Sequence, residues 1–365
     1  MTTRRRLLAA APIALLGAAV LPSCTPPVTY PEAVKETWRP FDRSKTERGT
    51  LLRELVRYAT LAPSSHNTQR WKFQLDLDRI ELRPDFSRRC PAVDPDDHHL
   101  FVSLGCATEN LVQAAAASGL HGDVRFDRSG GGSIQIALRP MRPSASVLFG
   151  AIPLRQCTRA AYDGTPVSPA TLAVLEKAGR GQGVRVLLDT ARARTEQILD
   201  FVLHANTAQM SDPAFMDELR TWIRFSDAQA VAQRDGLFSR ASGSPVIPAW
   251  LGNVAFKLVF TPKGENDKYA RFIRSSAGIA VFVSDASDKE HWVEAGRCYQ
   301  RFALQATALG IRTAMVNQPV EVSTVRGEFA RALGITSGRP DLVVRFGYGP
   351  EMPRSLRRPV EAVVA

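Results

Sequence analysis

A chain of 365 residues, 44% hydrophobic and 23% charged, is long enough to bury a sizeable core as one large domain or two smaller ones. The formal net charge is +11; Arg4, Arg5 and Arg6 supply three of these, and without them +8 remains (11 − 3), spread along the chain. No dense basic stripe with interleaved aromatics marks a nucleic-acid face, and the five cysteines show no CxxC or Cys/His spacing, so neither nucleic acid nor a metal is expected.

The chain begins with an address. Arg4 to Arg6 precede an apolar run from Leu7 to Leu21, and Pro22, Ser23 and Cys24 follow: a basic segment, a 15-residue apolar core and a cut site. Thr3-Arg4-Arg5-Arg6-Leu7-Leu8 resembles a twin-arginine export motif, and Leu21-Pro22-Ser23-Cys24 resembles a lipobox whose cysteine is acylated. Residues 1–24 are therefore expected to be an export signal with lipidation at Cys24, and 25–45 a Pro/Thr-rich tether. The expected location is across the cytoplasmic membrane, lipid-anchored in the bacterial envelope; the alternative is a soluble protein cut near Ser23.

Next, apolar residues at helical spacing predict a helix over Thr50–Leu61, ended by Pro63. Trp71–Leu77 and Arg79–Arg83 read as a strand pair, and a helix runs from about His98 to Ser118, closed by Gly119. Asp94, Asp96 and Asp97 before that helix read as acidic capping rather than a metal cluster. Short strands follow around Val124 and over Ser133–Arg139. Leu100–Leu120 then aligns without gaps on His291–Ile311, matching Val102, Gly105, Ala115, Ala117 and Gly119 to Val293, Gly296, Ala306, Ala308 and Gly310. A strand, Thr313–Val316, follows the second helix too, so the chain reads as an internal duplication. Residues 46–145 form one half and 146–365 the other. A helical insertion at about 192–260, with a Gly/Ser/Pro-rich loop from Gly236, reads as a lid over a site, the alternative being a surface excursion.

Three segments carry candidate chemistry. PSSHNTQRW, Pro63 to Trp71, gathers hydroxyl, imidazole and amide side chains ahead of a strand, a set suited to the polar edge of a planar heterocycle. Arg155-Gln156-Cys157-Thr158-Arg159 and Arg357-Arg358-Pro359 offer guanidinium forks for an anionic tail.

Together these segments resemble the flavin-dependent nitroreductase family over about Thr50–Val360, and the single-chain Acg-like branch of it in particular. The resemblance implies an α+β, nitroreductase-like fold, duplicated as a fused pseudo-dimer, with FMN between the halves. It sets Arg155 and Cys157 at the phosphate, Arg159 at the pyrimidine edge, and Pro319, Val320 and Glu321 on the turn whose backbone approaches flavin N5, with Gln156 also among the cofactor-binding residues. Arg357 and Arg358 fall on the C-terminal phosphate pair, and Pro63, Ser64, Ser65 and Asn67 on the segment reaching the ring from the other half. Cys157 replaces a hydroxyl residue, Val322 a common glycine and Arg70 a common proline.

The implied activity is a ping-pong FMN oxidoreductase passing two electrons through N5 to a nitroaromatic, quinone or similar small acceptor, with Arg159 and Glu321 in support. The alternative is a protein that holds flavin with little turnover. One ring segment in one half and one phosphate segment in the other imply a single site, and a monomer suffices to build it.

Overall fold

Alternation of apolar and polar residues makes Trp71–Asp76 (β1) and Arg79–Pro84 (β2) an antiparallel hairpin around Leu77 and Asp78, with Trp71 facing Pro84 and Phe73 facing Leu82. The computed structural model describes residues 28–42, 44 and 47–365. Arg4 to Arg6 and Cys24 lie outside them. The tether expectation fails for its later part, because Tyr30–Thr37 is a helix, α1, opened by a Thr29–Glu32 capping box. Trp38 then donates from Nε1 to the Ser355 carbonyl, and Arg39 makes a two-point ion pair with Glu54. This arm is docked on the body because it carries side chains with specific partners.

The first half continues as α2 (Arg48–Thr60), β1, β2, α3 (His98–Ala117), β3 (Leu120–Asp127) and β4 (Ser133–Pro140). A short α4 (Val147–Ala151) crosses between the halves, stacking Phe149 on Tyr58 of α2. The second half repeats the order: α5 (Pro169–Ala178), β5 (Val184–Asp189), then an insertion, then β8 (Gly278–Ser284), α11 (Lys289–Ala308), β9 (Arg312–Met315) and β10 (Arg339–Gly347). Strand order is β1-β2-β4-β3 in one sheet and β5-β8-β10-β9 in the other, with all strand pairs in both sheets antiparallel. The fold is α+β, and its six-element unit occurs twice.

The two halves meet through α3 and α11, which the ungapped alignment had paired. A Cβ on Gly105 would overlap the Val293 carbonyl, and a Cβ on Gly296 would overlap the Val102 carbonyl. Because Val102 is the counterpart of Val293, the contact is reciprocal, as at the interface of a two-fold dimer. Leu104, Leu111, Phe302, Ala303 and Leu304 are fully buried in this central layer. Each such large side chain contributes about 1.5–3 kcal/mol relative to exposure.

Where the first half turns at Leu77–Asp78, the second inserts residues 190–277, longer at its C-terminal end than the expected 192–260. The difference is α10 (Pro262–Arg274), capped by Thr261, which packs beside α6 (Arg192–Ser211) through an Asn206–Asn266 hydrogen bond. Between them lie α7 (Pro213–Trp222), β6 (Ile223–Arg224), α8 (Asp227–Gln233), β7 (Leu237–Phe238) and α9 (Ala249–Val259). β9 and β10 are joined through α12 (Gln318–Glu321) and α13 (Ser323–Ala332). After β10 the chain crosses back to the first half, where the Val363 carbonyl accepts from Phe73 and the Ala365 amide donates to Phe73, both at 2.8 Å. That exchange lengthens the first sheet by a parallel bridge at the β1 edge.

Candidate flavin site between the two halves

Pro63 stops α2, and the chain then takes three left-handed turns at non-glycine residues: His66 (φ 48°), Asn67 (φ 52°) and Gln69 (φ 55°). Each such conformation costs about 1–3 kcal/mol and persists only where surrounding groups hold it. They do so from three directions. Asn67 Nδ2 donates to the carbonyls of Gly236 in the insertion and Leu356 in the C-terminal arm, at 3.1 and 3.2 Å. Gln69 donates to Arg234 O and accepts from Arg358 N, and Ser64 Oγ accepts from Gln69 N. The loop thus presents its polar edge inward with Asn67 Oδ1 and His66 Nδ1 buried and unpartnered.

A cavity of about 300 Å³ opens beside this loop, walled by both halves and by the insertion. Pro63, Ser64, Ser65 and Asn67 line it, as do Arg155, Gln156, Cys157, Arg159, Glu321 and Arg357, so most of the expected site converges. At one end Arg155 and Arg357 are buried with no carboxylate partner among the described residues. Arg357 donates to the carbonyls of Thr60, Leu61 and Ala62, and Arg155 to Leu61, so both cations sit at the negative C-terminal end of α2. Burial, then the Arg155 and Arg354 cations, pull Arg357 down from 12.5 to about 9. Its guanidinium lies 5.1 Å from the Trp38 ring centroid. Arg155 Nε and Nη1 are buried with nothing to donate to. Two crowded guanidiniums, with the spare donors of Arg155 between them, suit a phosphate-like anion.

At the other end Glu321 of α12 meets one residue of the insertion and one of the first half. Gln209 of α6 donates to its carboxylate at 2.7 Å, and His99 Nε2 lies 3.3 Å from it. Burial opposes both charges most strongly. The pair nevertheless settles as an ion pair, because His99 and Gln209 hold Glu321 below the usual carboxylate range while Glu321 and Asp94 hold His99 above its ordinary value. Burial holds the neighbouring His66 down to about 4, so its imidazole is neutral at pH 7. Among the described residues Arg159 donates to no acceptor, and burial raises Tyr269 of α10 to about 12.

Four expectations need correction. Arg358 does not line the cavity; its side chain donates to Gln69 O and Ala362 O and ties the C-terminal arm to the loop. Val320 turns into the second-half core, Pro319 is buried off the cavity wall, and the Val320 and Glu321 amides are both taken by the Asn317 carbonyl, which leaves Gln318 facing the cavity instead. Gln156 spends its side-chain amide on both backbone groups of Met352. The α3 cap is Asp94, accepting from His99 N and Leu100 N, whereas Asp97 pairs with Arg89 and Asp96 with Arg339. Sequence reasoning missed His99, Gln209, Tyr269 and Trp38. An imidazole behind acidic residues at a helix start was the visible signal for His99; the others depend on long-range packing.

No family model matches the chain. Among curated proteins, Rv3131 of Mycobacterium tuberculosis H37Rv, provisionally named an NAD(P)H nitroreductase, is 27% identical over 328 residues, covering 86% of this chain and 90% of its own. The protein acg of the same organism, provisionally named likewise, is 23% identical over 327 residues, covering 86% and 95%. The chain is thus similar to these two mycobacterial proteins over most of its length. Among solved structures, the FMN-dependent nitroreductase NfnB from Mycobacterium smegmatis superposes with a TM-score of 0.40 at 14% identity, over 59% of this chain and 96% of NfnB.

The chain accommodates Arg70, Val322 and Cys157 locally. Arg70 is fully buried and donates to Asp94 at 2.8 Å, which in turn caps α3, so an ion pair braces the loop where a proline is common in the family. Val322 stays off the cavity wall, and Cys157 lines it while its backbone bridges Thr313.

Proposed function

We propose that the chain binds one FMN between its halves and acts as an FMN-dependent oxidoreductase on a small acceptor such as a nitroaromatic or quinone. The observation that carries this reading is the pair of buried arginines, Arg155 and Arg357, without carboxylate partners at one end of the cavity. A buried cation pair of that kind needs an anion, and a phosphate ester supplies it. The rest of the cavity fits the same group: Asn67 Oδ1 can accept from a ring N–H and Arg159 can donate to a ring carbonyl, and neither is committed elsewhere. The names of the mycobacterial relatives point the same way.

Bound flavin would supply reversible two-electron chemistry at its ring. The chain's own part is positioning and electrostatics. Arg155 and Arg357 hold the anionic tail, the strained loop fixes the ring edge, and Arg159 favours negative charge on the reduced ring. Phe215, Leu219 and Tyr269 of the insertion keep water from the remaining face.

A second reading, flavin holding with little turnover, is favoured by the Gln209–Glu321 bond that closes the insertion over the cavity. Anaerobic reduction of the purified flavoprotein followed by addition of a quinone or nitroaromatic separates the two. Reoxidation over many cycles supports the oxidoreductase; a flavin that reduces but is not reoxidised by any acceptor supports holding. Export and lipid anchoring through Cys24 belong to the same proposal, resting on the arginine motif and Leu21–Cys24. A single chain supplies both halves of the site, so a monomer is the expected functional unit.

A further inference from the structure

Three side chains that ligate metals meet where the insertion docks on the first half. His66 comes from the left-handed loop, Cys90 from the connection between β2 and α3, and Glu218 from α7. One ligand atom of each, a ring nitrogen, Sγ and a carboxylate oxygen, lies within 4.8 Å of the other two. Cys90 is 0% exposed and its thiol has no hydrogen bond, and His66 Nδ1 is buried without a partner. The Ala92 and Val93 amides donate to Glu218 at 2.9 and 3.1 Å, which fixes the carboxylate as outer contacts fix a ligand, and leaves it lone pairs to give.

We infer that His66, Cys90 and Glu218 form a three-ligand site for a zinc-class divalent cation. The donor set decides the class. A thiolate beside an imidazole suits zinc and its tetrahedral neighbours rather than calcium or magnesium, which take oxygen ligands. Bonds of roughly 2.0–2.3 Å in a tetrahedron set donor atoms roughly 3.5 Å apart, so the cluster tightens by about 1 Å on binding. The charges close as well. A dication with one thiolate and one carboxylate is neutral, and the proton of the thiol leaves to solvent. The nearby Arg70 is already paired with Asp94.

The spacing of these residues, 66, 90 and 218, has no sequence signature, which is why a chain without CxxC gives no sign of it. A bound cation would fasten α7 of the insertion to the loop that carries Asn67. The site stands whether or not the cavity holds flavin.

The test is titration of the full-length, EDTA-treated protein with Co2+, read as a difference spectrum. The expected result is one cobalt per chain, with tetrahedral d–d bands beyond the flavin absorption and a thiolate-to-cobalt charge-transfer band, all displaced by Zn2+. Cys90→Ser should remove the charge-transfer band, and Glu218→Gln should weaken zinc affinity more than about tenfold. Circular dichroism confirms that each variant folds. Should Cys90→Ser prove unfolded, Glu218→Gln alone decides by its affinity. Absence of the charge-transfer band in the parent protein, its persistence in folded Cys90→Ser, or unchanged affinity in Glu218→Gln overturns the assignment.

Discussion

Gly105 and Gly296 are one residue seen twice: each lets the backbone of the opposite central helix approach so closely that a methyl group would overlap a carbonyl, Val293 for the first and Val102 for the second. Gly105→Ala and Gly296→Ala should each destabilise the protein by about 3 kcal/mol or more, at the upper end of the cost of overpacking. Gly327→Ala, on α13 with open space around it, should instead stabilise by about 0.4–1 kcal/mol. Urea midpoints of the three variants check the contrast.

That reciprocal contact was legible in the sequence, because the Leu100–Leu120 and His291–Ile311 alignment pairs the two glycines and the two valines. Strands β5, β8 and β10 of the second half were not. β8 and β10 are buried at every residue, so they lack the alternation that marks β1, and β5 is separated from β8 by the insertion. Of the site, the segments that reach the cavity by backbone continuity were readable. Arg358, Pro319 and Val320 were misassigned because a motif fixes position along the chain but not which way a side chain faces. Glu321 was found, but its partners Gln209 and His99 lie 112 and 222 residues away in sequence (321 − 209 and 321 − 99), a separation that only the packed fold brings together.

Arg155→Ala should lower FMN affinity tenfold to a hundredfold, since a hydrogen bond to a charged group contributes roughly 1.5–3 kcal/mol. Stability should change little, because Arg155 makes one backbone bond and leaves two nitrogens unused. Arg357→Ala should lose affinity and stability together, since it releases three carbonyls at the end of α2. Arg159→Ala should move the reduction potential more than the affinity. Fluorescence titration, urea unfolding and reductive titration separate the three.

Gln209→Ala should speed flavin release by about tenfold to a hundredfold, because the bond it removes joins the insertion to a buried carboxylate. Release into an excess of a flavin-trapping apoprotein measures it. An unchanged rate would mean that the insertion does not gate the cavity.

Glu54 is held down to about 2; burial is the largest influence and opposes this, but Arg57 and Arg39 together outweigh it. A folded pKa below the ordinary 4.5 means that its contribution to stability is present above pH 4.5 and is lost as pH falls from there towards 2. Glu54→Gln should be less stable at pH 7 and should lose less on acidification over that window. Denaturation midpoints at pH 7, 4 and 3 check the slope.

In the proposed arrangement two fused halves build one flavin site. The second half has only Gly179-Arg180-Gly181-Gln182-Gly183 between α5 and β5 where the first has the Pro63–Trp71 loop, and the first half has a Ser129–Gly131 turn where the second has α12. The mirror-related position therefore lacks both the ring loop and the Glu321 element. Flavin released by acid, counted against protein, together with the molar mass from light scattering, tests this most directly. The prediction is one FMN per chain in a monomer of the mature protein; two flavins per chain, or flavin bound only by an oligomer, would contradict it.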